Sequence, residues 1–137
     1  MSLEVGQVVA ERELRLTRDS LVRYAGASGD FNPIHYRDDV AAAVGLPGVL
    51  AHGMLTMGAA VQPVVDWLRE TDPAGRVADY QVRFTRPVVV DPEAGATVRV
   101  VATVGAVEEG AARIDLAVTV DGGAVLGKAQ VRVAFGS

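Results

Sequence analysis

The sequence predicts an α+β domain in which a curved antiparallel sheet wraps around one central helix. Two observations carry this prediction. Residues 51–69 are apolar on nearly every side up to Gln62, as expected of a helix buried inside a domain. From Val77 onward the apolar period changes from helical to two, and turn signals separate the later segments. A length of 137 residues suits one such domain, which we expect to span residues 1–137.

The segments before the central helix predict one strand and two short helices. Residues 7–16 mix charged and apolar side chains and predict the first strand. Thr17 is a suitable N-cap for the next helix, because its hydroxyl can accept a hydrogen bond from the first helical turn. We expect Gly26 and Gly29 to end this helix, and one or two helical turns to form over residues 38–44.

The central helix is predicted over residues 51–69, with a kink or break at Pro63, since an internal proline removes one helical hydrogen bond and adds a clash. Four strands joined by turns are then expected. They cover residues 78–90, 97–107, 113–120 and 125–135. Long consecutive strands of this kind form an antiparallel sheet with one solvated face, and its edges invite a second subunit.

Composition excludes several classes of function. Half of the residues are hydrophobic but only 5% are aromatic, so the core must consist mainly of Val, Ala and Leu. A net charge of −4 without any basic cluster gives no attraction to nucleic acid. The absence of cysteine excludes disulfides, thiol nucleophiles and cysteine metal sites, and suits a cytoplasmic protein. Residues 1–7 lack the features of a signal peptide, and no run approaches the roughly 20 apolar residues of a membrane span.

The segment that carries chemistry is Ser-Gly-Asp-Phe-Asn-Pro-Ile-His at residues 28–35. Gly29 and Pro33 keep it from forming a regular helix, so we expect Asp30 and His35 to be presented from a shaped loop. A carboxylate and an imidazole are the minimum set for moving a proton onto and off carbon. The alternative interpretation is structural, because Asp30 can also serve as a turn residue or a helix cap.

Two motifs together resemble a known family. They are Tyr-Ala-Gly-Ala-Ser-Gly-Asp-Phe-Asn-Pro-Ile-His at residues 24–35 and Ala-His-Gly-Met-Leu-Thr at residues 51–56. The chain resembles the MaoC-like, (R)-specific enoyl-CoA hydratase family over essentially its whole length. Within that family it is most similar to the B subunits of mycobacterial-type (3R)-hydroxyacyl-ACP dehydratases, which share the segments at residues 51–58 and 82–85. The resemblance implies the hot-dog fold, in agreement with the predicted order of elements.

The same resemblance implies a reaction. A trans-2-enoyl thioester and water would interconvert with a (3R)-3-hydroxyacyl thioester, carried on CoA or ACP, in fatty-acid metabolism. No cofactor and no metal are expected. Asp30 and His35 match the catalytic pair, and Gly53 matches the glycine whose N–H receives the thioester oxygen. We assign His35 to proton exchange with carbon and Asp30 to the water or hydroxyl, with the reverse assignment left open.

Three further residues are expected beside the substrate. Asn32 matches a residue that braces the loop. His52 either packs as a structural residue at the start of the helix or acts as a second base. Met54, together with Leu55 and Met57, either lines an acyl tunnel or belongs to the ordinary core.

Two positions depart from the family pattern. Arg37 stands where the signature usually has a small residue, and Val61 stands about where some single-chain hydratases carry a serine.

Two alternative sites rest on residue type alone. Arg83 and Arg86 are candidates for a carrier phosphate or for ordinary solvated arginines. Asp30, His35, Asp38 and Asp39 offer metal ligands, although neighbouring acids more often mark a solvated helix start.

Other functions on the same fold stay open. A thioesterase would need a carboxylate on the central helix beside the carbonyl, yet Asp66 lies about 20 Å from Gly53 at about 1.5 Å per residue. A non-catalytic hot-dog subunit, active only with a partner chain, would have no use for Asp30 and His35. We expect a homodimer, or a heterodimer with a related hot-dog subunit, and no interaction with nucleic acid or membrane.

Overall fold

Five strands form one antiparallel sheet in the computed structural model, which describes residues 2–136. They are β1 (Val8–Leu16), β2 (Arg76–Phe84), β3 (Ala96–Glu108), β4 (Ala111–Val120) and β5 (Gly123–Ala134). Their spatial order is β1-β3-β4-β5-β2, so the first two strands in sequence form the two edges. The fold class is therefore the predicted hot-dog arrangement of a curved antiparallel sheet around a helix.

Three α-helices and one short 3-10 helix complete the described part of the chain. They are α1 (Arg18–Ser28), the 3-10 helix (Pro33–His35), α2 (Asp38–Ala43) and α3 (Gly53–Thr71). None of the helices in residues 2–136 has the length and apolar character needed to cross a lipid bilayer. The central helix α3 is the only long one among them, and it provides the surface on which the sheet closes.

The core lies between α3 and the concave face of the sheet. Thr56, Ala60 and Val64 are buried on the helix side. Every second residue of β3 from Ala96 to Val104 is buried on the sheet side, as the period of two predicts. Small residues on the helix and valines on the strands allow close contact, which explains how a core with so few aromatics fills its volume.

Helix α1 begins as predicted and ends later than one of its glycines suggested. The Thr17 hydroxyl accepts from the Ser20 N–H at 3.2 Å, and the two residues form a capping box. Gly29 ends the helix in the left-handed conformation, with φ of 77°. The prediction that Gly26 also ends it is wrong, because Gly26 lies inside the last turn with helical backbone bonds continuing to the cap.

Helix α3 and strand β2 also differ from the prediction, the first at Pro63 and the second at its end. Helix α3 runs without a break through Pro63, whose ring is buried against the core, so packing maintains the helix across the missing N–H. Strand β2 ends at Phe84 rather than at residue 90. Pro87 follows soon after, and a residue without an N–H cannot extend the strand ladder.

Candidate active site

The loop between α1 and the 3-10 helix is shaped by its own polar side chains. The Ser28 hydroxyl accepts from the Asp30 N–H at 3.1 Å, and the Asp30 Oδ1 accepts from the Asn32 N–H at 3.2 Å. The Asn32 side chain caps the 3-10 helix by accepting from the Ile34 N–H at 3.2 Å. The Oδ1 of Asn32 is thus engaged within the loop rather than directed at the site.

His35 lies at the end of this loop with its ring largely buried. Its Nδ1 is 2.6 Å from the carbonyl oxygen of Leu50. Because a carbonyl only accepts, Nδ1 carries the proton, and the neutral ring leaves a lone pair on Nε2. That Nε2 is 4.0 Å from Oδ2 of Asp30, whose carboxylate is half exposed. The predicted pair is therefore assembled around one small space, at a separation too long for a direct hydrogen bond.

The loop is tied to the segment that leads into α3. The Leu50 N–H donates to the Ile34 carbonyl at 3.1 Å, while the Leu50 carbonyl accepts from His35. The Ala51 N–H donates to the Val88 carbonyl at 2.9 Å, which links the same segment to the chain that follows β2. These bonds connect the Asp30–His35 loop with the N-terminus of the central helix.

Gly53 is the first residue of α3, so its N–H has no acceptor within the helix. The ring of Phe84 covers its Cα, and a Cβ built at position 53 would lie 2.9 Å from the Phe84 ring. Beside them is a cavity of about 310 Å³, the Gly53 cavity. Its lining includes Gly53, Thr56, Phe84, Arg86, Val88 and Leu126.

The residues expected beside the substrate differ in their position relative to the Gly53 cavity. Met54 does not line it and is 60% exposed on the outer side of α3. Arg86 lines the cavity, whereas Arg83 does not. Thr56 and Phe84 line the cavity but were not among the residues expected from the sequence. The position of Thr56 three residues after Gly53, on the same helical face, is the signal that points to the first, while nothing local points to Phe84.

His52 is buried, with 2% of its surface exposed. Its Nε2 is 3.2 Å from the carbonyl oxygen of Asp30. Its ring stacks on His35 with centroids 3.8 Å apart and meets the edge of Tyr24 at 4.8 Å. Burial lowers the pKa of His52 below its ordinary value. A ring so enclosed offers almost no surface for the substrate contact expected of it.

Asp30, His35 and His52 each place one donor atom within 4.8 Å of the others. This set does not suit a metal ion. The two imidazole rings are nearly parallel, with an interplanar angle of 22°, so their in-plane lone pairs run side by side instead of converging. The His52 Nε2 is also engaged as a donor to a carbonyl.

The acids that follow His35 are paired with arginines. Asp38 accepts two bonds from Arg18 at 2.8 and 3.1 Å, and the Arg18 partner holds the pKa of Asp38 below its usual value. Asp39 accepts from Arg37 at 2.6 and 3.0 Å, on the exposed side of α2. Arg37 thus points away from the site, so its departure from the family pattern leaves the loop undisturbed.

The two acids of the central helix, Asp66 and Glu70, lie 13 or more residues beyond Gly53 and are remote from the site. Asp66 pairs with Arg12 of β1 at 2.9 Å. Val61 packs partly buried against the core and offers no hydrogen bond to the loop. Within residues 2–136, no carboxylate of α3 therefore lies beside Gly53, where a thioesterase would need one.

The chain is similar to a described family, to a sequence relative and to two solved structures. Residues 3–122 match the family model described as MaoC like domain. The 3-hydroxyacyl-thioester dehydratase X of Mycobacterium tuberculosis is 38% identical over 85 residues, which cover 60% of this chain and 27% of that protein. This chain therefore covers only about a quarter of that relative's length.

Two solved structures share the fold over nearly the whole chain. An (R)-hydratase from A. caviae involved in PHA biosynthesis has a TM-score of 0.79 at 26% identity, covering 98% of both chains. The ChsH1-ChsH2 complex from Mycobacterium tuberculosis has a TM-score of 0.83 at 24% identity, covering 98% of this chain and 99% of that chain.

Proposed function

The chain belongs to the MaoC-like domain family, and we propose that it catalyses the reversible hydration of a trans-2-enoyl thioester to a (3R)-3-hydroxyacyl thioester. One observation carries the proposal: Asp30 and the free Nε2 of His35 face each other at 4.0 Å, on a loop bonded to the segment that begins α3 at Gly53. The named activity of the A. caviae relative, which this chain matches over 98% of its length, supports the same reaction.

The costly step of the dehydration direction is the removal of the proton from the α-carbon, because negative charge builds on the thioester oxygen. Gly53 can stabilise this negative charge in two ways. Its N–H has no acceptor within the helix, and it lies at the positive end of the helix dipole. Removal of one such donor typically lowers the rate by about 10²- to 10³-fold. The absence of a side chain at this position lets the thioester approach the backbone.

His35 is the group suited to the carbon-bound proton. Its Nδ1–H is held by the Leu50 carbonyl, so the lone pair of Nε2 is oriented and available as a base. Asp30 has one oxygen occupied by the loop and the other directed at the shared space, where it holds the water or hydroxyl. The proton that His35 takes from the α-carbon passes from Nε2 to the hydroxyl held by Asp30, and the C–O bond breaks as that hydroxyl departs as water.

The substrate carrier and the assembly are part of the proposal. We infer a thioester of CoA or ACP, with the acyl group or carrier arm next to the Gly53 cavity. The chain acts as a dimer, either with its own copy or with a related hot-dog subunit. The similar ChsH1-ChsH2 structure shows that this fold occurs in a complex of two different proteins, which is a precedent for pairing with a related subunit.

The test is hydration of crotonyl-CoA by the purified chain, followed by the loss of the enoyl absorbance. Asp30→Asn and His35→Ala should each abolish measurable turnover. Asp66→Asn is the matched control, because it makes the same chemical change on an acid that pairs with Arg12 away from the site. Free thiol is assayed in parallel. Thiol release without hydration would indicate a thioesterase, and hydration that survives Asp30→Asn would overturn the proposed pair.

A further inference from the structure

The ring of His52 contacts both members of the Asp30–His35 pair while remaining closed to solvent. We propose that His52 is a positioning residue: as a neutral ring, it donates from Nε2 to the Asp30 carbonyl and provides the face on which His35 stacks. It thereby fixes the distance between the carboxylate and the base. This inference rests on the proposed function for its kinetic consequences, whereas its structural content does not depend on the substrate.

The tautomer of His52 follows from its partner. A carbonyl oxygen has no proton to offer, so the atom 3.2 Å from it, Nε2, must carry one. Nδ1 then holds the lone pair. His35 is in the opposite tautomer, since its Nδ1 meets the Leu50 carbonyl at 2.6 Å. The two stacked histidines therefore have different roles. His35 directs the unprotonated Nε2 toward Asp30, whereas His52 uses its protonated Nε2 as a hydrogen-bond donor.

The surroundings of His52 keep it neutral. Its Nδ1 is buried and has no hydrogen-bond partner among the described residues, so a second proton would be placed where nothing accepts it. The ionisable groups around the ring are Tyr24, His35 and Asp30; the Asp30 carbonyl accepts from Nε2, and a carboxylate oxygen of Asp30 also lies within 4.8 Å of a His52 ring nitrogen. Burial outweighs the attraction of this carboxylate, so the pKa of His52 is still lowered. A neutral ring also avoids repulsion when the stacked His35 gains a proton during turnover.

Two other roles for His52 are disfavoured by the same contacts. The residue stands at the N-cap of α3, yet its side chain makes no capping hydrogen bond. Its exposure of 2% leaves no room for a bond to substrate. The ring is thus directed away from the helix and toward the loop, which is what a positioning role requires.

The first test reads the two rings directly and needs no activity. The chain has two histidines, so an untagged protein labelled with ¹⁵N-histidine gives two ring patterns in long-range ¹H–¹⁵N spectra. His52→Gln leaves only the His35 pattern and so assigns both. We expect His52 as the Nε2–H tautomer and His35 as the Nδ1–H tautomer, with His52 still neutral at the lowest pH at which the protein is folded. An Nδ1–H or doubly protonated His52 near neutral pH would overturn the proposal.

The second test uses two substitutions to distinguish the contribution of the Nε2–H donor from that of the stacking ring. His52→Phe keeps the stacking face and removes the donor, whereas His52→Gln keeps a donor near the Nε2 position. A shift of about 1 Å in a catalytic group typically lowers the rate of the chemical step on the order of 10²-fold. We expect kcat to fall about 10- to 100-fold in His52→Phe and less in His52→Gln, with KM nearly unchanged and the acid limb of the kcat/KM profile displaced.

Val64→Ala is the control for general destabilisation, because Val64 is fully buried on the same helix about three turns further along. It should lower the melting temperature and leave kcat and the pH profile unchanged. A His52→Phe variant with wild-type kcat, or with the same profile as Val64→Ala, would refute the positioning role. If the wild-type chain does not hydrate enoyl thioesters, the proposed function fails while the ring spectra still decide the role of His52.

Discussion

At the scale of single residues, the partner of each ring nitrogen decides what the two histidines can do. His35 and His52 lie face to face, yet one donates to Leu50 through Nδ1 and the other to Asp30 through Nε2. The free nitrogen of His35 therefore opens toward a carboxylate, and that of His52 is sealed in the interior. This difference is the basis for proposing His35 as the base and His52 as the residue that positions it.

Gly53→Ala should lower activity without unfolding the protein. The added methyl group would meet the Phe84 ring at 2.9 Å, and this ring is 57% exposed and free to swing aside. We expect the free energy of unfolding to change by less than about 1 kcal/mol. We expect kcat/KM for the enoyl thioester to fall by at least about tenfold, because methyl and ring then crowd the N–H that we propose receives the thioester oxygen.

Gly58→Ala is the control for Gly53→Ala. Position 58 lies on the same helix, and a Cβ there would meet nothing within 4 Å. Both variants are compared by urea unfolding and by kcat/KM. Equal activities for the two variants would show that the N-terminus of α3 does not take part in the reaction.

The pH dependence of stability follows from the buried state of His52. Burial lowers its pKa from the ordinary 6.5, so below about pH 6.5 the unfolded chain takes up a proton at this residue that the folded chain does not. The stability that neutral His52 contributes is complete above that pH. It declines as the pH falls toward the lowered folded pKa, with a slope of at most about 1.4 kcal/mol per pH unit.

His52→Gln removes this contribution. The difference in unfolding free energy between wild type and His52→Gln should therefore be largest near pH 7.5 and shrink toward about pH 5. Urea unfolding at a series of pH values measures it. A difference that is constant with pH, or that grows toward acid, would mean that His52 accepts a proton freely in the folded protein.

At the scale of elements, the end of α1 sets the direction in which the Asp30 loop departs. Gly29 is in the left-handed conformation with φ of 77°, while Gly26 lies three residues earlier in ordinary helical conformation. A Cβ at either position would meet no atom within 4 Å, so neither substitution creates a clash. Backbone conformation alone distinguishes the two.

The substitutions Gly26→Ala and Gly29→Ala should thus have opposite signs. Gly26→Ala should stabilise the protein by about 0.5–1 kcal/mol, because alanine is the better helix former. Gly29→Ala should destabilise it by about 1–2 kcal/mol, because a side chain disfavours positive φ. Gly29→Ala should also lower kcat, since Asp30 is the next residue. Urea unfolding and the hydration assay test the pair, and two changes of the same sign would contradict the assignment of the helix end.

At the scale of the whole molecule, the sheet closes around α3 and brings its N-terminus to the Asp30–His35 loop. The contact is made by short segments at the rim, where Leu50 bonds to both Ile34 and His35 and Ala51 bonds to Val88. The two edge strands of the sheet, β1 and β2, retain one unpaired side each among the described residues. An edge of this kind is a ready surface for strand pairing with a second subunit.

We expect the chain to form a dimer in solution. Sedimentation equilibrium over a range of concentrations measures the mass, and crotonyl-CoA hydration is assayed on the same samples. A monomer with full activity at all concentrations would contradict the expectation. A monomer that is inactive alone, and gains activity when mixed with a related hot-dog subunit, would identify the partner as a different chain.

The sequence by itself determined the order of elements, the Thr17 cap, the Gly29 helix end and the family. These depend on local preferences and on apolar period, which neighbouring residues set. It also placed Asp30, His35 and Gly53 as candidates, because the resemblance lies in two short motifs.

Only the tertiary structure decided how distant segments meet. It brought His52 onto His35 and the Asp30 carbonyl, 22 residues earlier in the chain, and it laid Phe84 over Gly53. It also carried α3 through Pro63 and buried His52 away from solvent. Packing energy, which sums over contacts between remote residues, overrides local preference at these positions, and no local pattern in the sequence reports it.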